Sequence, residues 1–352
     1  MARRSSPKPT VSRKKEHVDL TLSRNVSFRR KETGLAEWEF THNALPELDL
    51  AHIDPSTEFL GRKIALPLMI SCMTGGYPDA FRINSRLAEA CEGFGIAIGV
   101  GSQRQALEDS RFHHTFSIVR ERAPSVPVVG NIGAAEVVSL RASEGIRRLA
   151  DLVKADGFAV HLNPLQEYLQ PEGNPRFRGV LEGIRLLVRE LPIPVIVKEV
   201  GAGLSAQVIE LLLDAGVRHI DVAGAGGTSW AGVETLRRRE GRGAALPFWD
   251  WGIPTATAVR DAATLKGNPH TFTLIASGGL VTGLDAAKCI GLGADLAASA
   301  RPMLQALAKG GARGLHTLLD EWTFQLRGAM FLTGSQNIRD LQHAPLRHIA
   351  KS

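Results

Sequence analysis

Short apolar runs recur along the chain at 66–72, 95–99, 126–130, 157–161, 194–199, 219–223, 272–277 and 294–298. Their near-continuous apolar character fits strands covered on both faces, the condition of a parallel sheet. Most are followed by stretches with apolar residues at helical spacing, including 81–93, 144–155, 178–191, 205–215, 254–263 and 283–292. Strand followed by helix, repeated eight times, predicts an α/β fold closed as a (β/α)8 TIM barrel. Residues before Leu66 form an N-terminal extension with short elements such as 37–41, and 224–252 is an irregular connection after the sixth strand, placed to act as a lid. One domain over 13–352 is expected, including an arm at 13–65, preceded by a disordered basic tail at 1–12.

Polar and glycine residues concentrate just after the strands: MTGG at 73–76, GSQR at 101–104, NIG at 131–133, HLNPLQE at 161–167, KEVGAG at 198–203, AGAGGTSW at 223–230 and SGGL at 277–280. Any one of them could be an ordinary turn. In a barrel all seven meet on the C-terminal rim, where sites of this fold are built.

The net charge of +6 suggests a nucleic-acid partner until it is located. Residues 1–32 hold ten basic and three acidic side chains, so the rest of the chain is close to neutral and offers no basic surface to track a phosphate backbone. No apolar run reaches membrane-spanning length, and MARRSSPKPT lacks a secretory apolar segment, so a cytoplasmic protein without membrane partners is expected. Cys72, Cys91 and Cys289 are odd in number and widely spaced, which fits buried thiols better than disulfides or zinc.

In SGGLVTG, Gly278 and Gly279 lie between a strand and a helix start, either as a plain tight turn or as the phosphate grip that late barrel loops supply. Lys198 ends a very apolar strand, where an ammonium needs an anion or a polarised ring, whereas Glu199 points to the other side as a structural residue. FMN satisfies both the phosphate turn and the lysine. His161, Asn163, Gln166 and Glu167 crowd one turn fixed by Pro164, and Glu167 is either an oxygen ligand suited to Mg²⁺ or a surface ion-pair partner. Arg13, Lys14 and His17 share helical spacing, and Arg104 follows the second strand, so cations from separate segments can close on a diphosphate.

Together RKKEH (13–17), FTHNALPELDL (40–50), MTGG, VGSQR, GNIG, HLNPLQE, VKEVGAGLS, DVAGAGGTSW, FWDWGIPTA and SGGLVTGLDAAKCIGLGAD resemble the type 2 isopentenyl-diphosphate isomerases, an FMN-dependent family, over about 13–303. The resemblance implies FMN contacts at Met73, Thr74, Gly75, Ser102, Asn131, Lys198, Thr228, Gly279, Leu280, Val281, Ala300 and Arg301. It implies substrate contacts at Arg13, Lys14, Ser102, Gln103, Arg104, His161, Asn163 and Gln166, Mg²⁺ on Glu167, and Trp230 as a pocket wall. Gln166 is the implied catalytic residue, positioning or relaying a proton at the alkene of a prenyl diphosphate. It further implies NADPH as flavin reductant and a homo-oligomer, tetramer or octamer. Two positions depart from the family pattern: Cys72 stands for a small Ser or Ala, and Val281 for an arginine at the flavin phosphate. Oxidation of 2-hydroxy acids on the same barrel would need a late histidine and arginine that SGGLVTG lacks, and AGAGGTSW has no cysteine for a nucleotide dehydrogenase.

Overall fold

All eight apolar runs become strands of a closed parallel barrel in the computed structural model, which describes residues 10–138, 142–238, 240–267 and 269–349. They are β1 (Leu68–Ile70), β2 (Ala97–Gly99), β3 (Val128–Gly133), β4 (Gly157–His161), β5 (Val195–Lys198), β6 (His219–Asp221), β7 (Thr273–Ser277) and β8 (Leu296–Ser299). Neighbours in sequence are neighbours in the ring, and β8 closes on β1. The helical stretches between strands form as the periodicity predicts; one example is Gly283–Gly291, fixed by a Thr282–Asp285 capping box.

Alternation along the strands divides the apolar side chains in two. Met69, Ala97, Val129, Ala159, Ile196, Ile275 and Leu296 fill the barrel interior, and a larger shell packs between strands and helices. A hairpin, Thr57–Phe59 with Arg62–Ile64, plugs the N-terminal end by adding Phe59 and Ile64 to that interior. Its two-residue turn puts Leu60 at φ 51° and Gly61 at φ 73°, the left-handed pair that suits the twist of a tight hairpin. The predicted element near 37–41 is the strand Trp38–Phe40, paired with Leu346–His348 near the chain's end.

Two expectations change. Residues 1–9 of the basic tail lie outside the described residues, and the arm helix Thr10–Ser23 begins within the segment expected to be disordered. The connection at 224–252 is largely helical: Trp230–Arg237, Arg242–Ala245 and a 3-10 turn at Leu246–Phe248. Ser229 starts the first of these by accepting the Gly232 N–H, and its hydroxyl donates to Trp249 O at 2.6 Å. Close packing of Gly232 on the Trp249 ring, where a Cβ would come within 2.6 Å, leaves no slack for a loose loop.

Candidate active site

Strand register sets one level of the site. Gly133 pairs with His161, His161 with Lys198 and Lys198 with Asp221, so the ends of β3 to β6 present these residues side by side at the C-terminal mouth. The mouth opens into a cavity of about 500 Å³, roofed by the arm helix and walled by Trp230. The arm is tied down along its length. Lys14 Nζ donates to Gly75 O and Ser102 O on the rim, the Arg301 guanidinium donates to Thr21 O, Arg24 O and Ser27 Oγ, and Ser27 forms an antiparallel bridge with Thr228.

On one side of the cavity, Lys198 Nζ lies 3.5 Å from Asp221 Oδ2 and donates to Glu199 O. Asp221 Oδ1 in turn accepts from Ser277 Oγ at 2.5 Å and from Ala223 N at 3.1 Å, so the buried lysine has its counter-charge on the next strand. Glu199 turns away, as expected, and its Oε2 collects the N–H groups of Val200, Gly201, Ala202 and Gly203. Burial pushes this carboxyl up to about 7 against the pull of those amides and of Lys198. Above them the loops after β6 and β7 touch through glycines: a Cβ on Gly227 would lie 2.5 Å from Gly279 N. Gly279, at φ 75°, is in the left-handed region that such an approach needs.

Beside Lys198 on the neighbouring strand, the imidazole of His161 is fixed by Asn131. Asn131 Nδ2 donates to Val100 O, so its Oδ1 faces the ring and accepts from Nδ1–H at 2.9 Å, leaving the Nε2 lone pair on the other edge. Burial, then the charges of Lys198 and Lys14, hold His161 down to about 3, so the ring is neutral at ordinary pH. Arg104 meets Glu136 at 3.0 Å. Burial raises the Glu136 carboxyl against the pull of Arg104, and the charge of Glu167 raises it further.

Just after β4, Asn163 Nδ2 donates to Gln166 Oε1 (3.2 Å) and Glu167 Oε1 (3.1 Å), while Gln166 Nε2 donates to Glu234 Oε1 (3.1 Å). Both ends of the Gln166 amide are therefore assigned, and its second N–H is left for the cavity. His17 Nε2 stands 2.9 Å from the same Glu234 oxygen. Burial works to raise Glu234, but His17, Arg237 and Gln166 outweigh it and hold the carboxylate below its usual range. Ser71 Oγ, Thr74 Oγ1, Asn163 Oδ1 and Gln170 Nε2 are buried without a partner in the protein, and all four residues line this cavity.

Nearly every residue singled out in the sequence lines this one space: Arg13, Lys14, Met73, Thr74, Gly75, Ser102, Arg104, Asn131, His161, Asn163, Gln166, Glu167, Lys198, Thr228, Gly279, Leu280, Val281, Ala300 and Arg301. Gln103 does not. It is fully buried behind the wall, donating to Leu149 O and accepting from Asn131 N, so it braces Asn131. Arg301 reaches the cavity, but its guanidinium is committed to the arm. The Val281 and Thr282 N–H groups both go to Asp285 Oδ2, and Val281 offers an exposed isopropyl group where the resemblance leads to the expectation of a cation. Cys72 lines the floor, its thiol pushed up to about 12 by burial. Sequence reasoning missed Glu136, Glu234 and Asp221; Glu136 lies three residues after GNIG and Glu234 one turn into the helix begun by Trp230, neither of which is a local signal of chemistry.

This glycine-lined barrel mouth with its buried lysine lies in a chain matched by the FMN-dependent dehydrogenase family model over residues 8–140 and 143–348, which sets its class. Among solved structures, a lactate oxidase from Pediococcus acidilactici superposes with a TM-score of 0.69 at 15% identity, covering 99% of this chain and 97% of that one. A mandelate oxidase bound to (S)-2-phenylpropionate superposes at 0.65 and 18% identity, covering 96% and 95%. At these identities the likeness is one of fold. Far closer in sequence are proteins named isopentenyl-diphosphate delta-isomerase from Chlorobaculum parvum (49% identical; 96% of this chain, 97% of the relative), Pelodictyon phaeoclathratiforme (47%; 96% and 97%) and Pseudescherichia vulneris (45%; 96% and 97%). The chain belongs to this isomerase family within the FMN-dependent class.

Proposed function

We propose that this chain interconverts isopentenyl and dimethylallyl diphosphate by a 1,3-allylic proton shift, with FMN and Mg²⁺ bound in the cavity. The observation that carries the reading is the convergence of Arg13, Lys14, Arg104, His161 and Glu167 on the same cavity as Lys198, Thr74 and Gly279, with Gln166 between.

The residues present fit both groups. The unpartnered Thr74 Oγ1 and Ser71 Oγ, the Gly227–Gly279 approach and the Lys198 ammonium suit a flat polar ring with a phosphate tail. Met73, Gly75, Asn131, Thr228, Leu280 and Ala300 complete that wall. In its reduced form FMN supplies a proton donor and acceptor together with an electron-rich ring beside the alkene. Asn163 Oδ1, buried and unpartnered, and the Glu167 carboxylate are hard oxygens suited to Mg²⁺, which keeps several waters and shares phosphate oxygens.

The chain's own residues then divide the work. Arg13 and Arg104 offer forked donors to the diphosphate and Lys14 a point charge, so the remote end of the substrate anchors the alkene. The neutral, oriented His161 presents Nε2 to the same end. Glu234 holds one N–H of Gln166 and leaves the second to steady or pass a proton at the reacting carbons. Trp230 and the arm exclude water from a step whose cationic character water would intercept. NADPH as reductant and assembly as a tetramer or octamer complete the reading.

The test is anaerobic incubation of the purified protein with isopentenyl diphosphate, Mg²⁺, FMN and either NADPH or dithionite, following dimethylallyl diphosphate. Conversion that requires reduced flavin supports the reading. Tight FMN binding without conversion overturns the substrate assignment and keeps the flavin.

A further inference from the structure

The basic run that begins at Arg237 has no part in the reading so far. Arg237 is buried, its side chain 3% exposed, and its guanidinium meets carboxylates from three separate segments. Nη1 reaches Glu234 Oε2 on its own helix at 2.6 Å, Nη2 reaches Glu172 Oε1 beyond helix Pro164–Leu169 at 2.6 Å, and Nε reaches Glu16 Oε2 on the arm helix at 3.1 Å. Glu16 adjoins His17, and His17 and Gln166 share the other oxygen of Glu234. One side chain therefore links the roof of the cavity to the amide at its centre.

Charge makes the link directional. Three carboxylates close on one guanidinium, and the Glu234 side chain is fully buried. Removing the cation would leave like charges facing one another across the seam between arm and barrel. Lysine would return a point charge but not the planar fork that serves three directions at once.

We propose that Arg237 is a positioning residue that fastens the arm helix across the cavity and aims Glu234 at Gln166. The arm brings Arg13 and Lys14 to the cavity, so fastening governs how the anionic end of the substrate is held. The aim of Glu234 governs Gln166 at the reacting end. Glu16 meets Arg237 from the arm, so its replacement weights the fastening over the aim of Glu234, which allows the two halves to be compared.

The experiment uses the full-length FMN-loaded protein as wild type, Glu16→Gln, Arg237→Gln and Arg237→Lys. Trypsin cleavage of the arm after Lys15 and Arg24 reports fastening, and KM with kcat for isopentenyl diphosphate reports the site. Glu16→Gln should speed arm cleavage and raise KM about fivefold with kcat little changed, the scale of one partly exposed ion pair. Arg237→Gln should speed cleavage by more and also lower kcat by about a hundredfold, because a buried carboxylate loses its partner. Arg237→Lys should recover only part of each. Cleavage unchanged in both Glu16→Gln and Arg237→Gln overturns the proposal, as does a Glu16→Gln variant that loses kcat and keeps KM. If Arg237→Gln does not fold, Glu16→Gln and Glu172→Gln decide on the same readings. The kinetic arm rests on the isomerase reading; a wild type that binds FMN and converts nothing overturns that reading and leaves cleavage to decide the fastening.

Discussion

Replacing Glu199 by glutamine isolates one buried charge behind the cavity wall. The carboxyl is buried beneath the 200–203 loop, and burial lifts it from the ordinary 4.5 to about 7. That displacement, at about 1.4 kcal/mol per unit, corresponds to roughly 3 kcal/mol of linkage between ionisation and folding. The folded-state value is the higher one, so the folded protein binds this proton more tightly than the unfolded chain. Its contribution is full below pH 4.5 and is lost as pH rises through about 7. Glutamine keeps an oxygen for the Val200 to Gly203 amides and cannot ionise, so the variant lacks this dependence. Reversible guanidinium unfolding of both proteins at pH 4.5 and pH 8.5 should show the stability gap moving toward the variant by about 3 kcal/mol as pH rises. Other groups titrate alike in both proteins and cancel in the gap. A gap constant to within about 1 kcal/mol would mean that the four amides hold Glu199 ionised throughout, and would refute the reasoning.

Three further outcomes are expected. His161 keeps its proton on Nδ1 and stays neutral, so ¹⁵N NMR of the resting protein should show no titration of this ring between pH 5 and 8; its depressed value, about 3, makes its contribution to stability full above 6.5 and lost as pH falls toward 3. A ring titrating near 6.5 would contradict the burial and the lysine charges that hold it down. Gly227→Ala forces a Cβ against the Gly279 backbone, and the purified variant should retain less than about a tenth of the wild-type flavin by absorbance; full flavin content would show that the two loops yield. Glu167→Gln removes the carboxylate charge but keeps the bond from Asn163, so the Mg²⁺ concentration for half-maximal rate should rise about tenfold or more, and an unchanged Mg²⁺ profile would take the ion away from Glu167.

The barrel was legible because each strand and helix carries its own local period, and the polar residues after strands fall on one rim by topology alone. His161, Asn163, Gln166 and Glu167 could be read together because Pro164 starts a short helix, Pro164–Leu169, just after the strand that ends at His161, with Asn163 as its cap. Pairings across the fold were not legible. Nothing near Asp221 or Glu234 in sequence announces Lys198 or Gln166 as a partner, since both meetings depend on strand order and on how the connection at 224–252 folds. Gln103 looked like a rim residue because GSQR sits on the rim; its side chain points behind the wall, a direction set by the turn before helix Arg104–Glu108. Arg301 carries the charge expected at a phosphate, but the ends of the arm's backbone, which no spacing rule brings near it, take its donors.

The hairpin that plugs the N-terminal end of the barrel also fixes traffic through the molecule. Among the described residues, Phe59 and Ile64 fill that end, and the cavity opens at the other end, beneath the arm. On the proposed seating, with FMN against Lys198 and the substrate nearer the arm, the flavin goes in first and comes out last. On that proposed seating the prenyl diphosphate exchanges over the cofactor, and each substrate molecule that docks should act as a stopper that slows flavin loss.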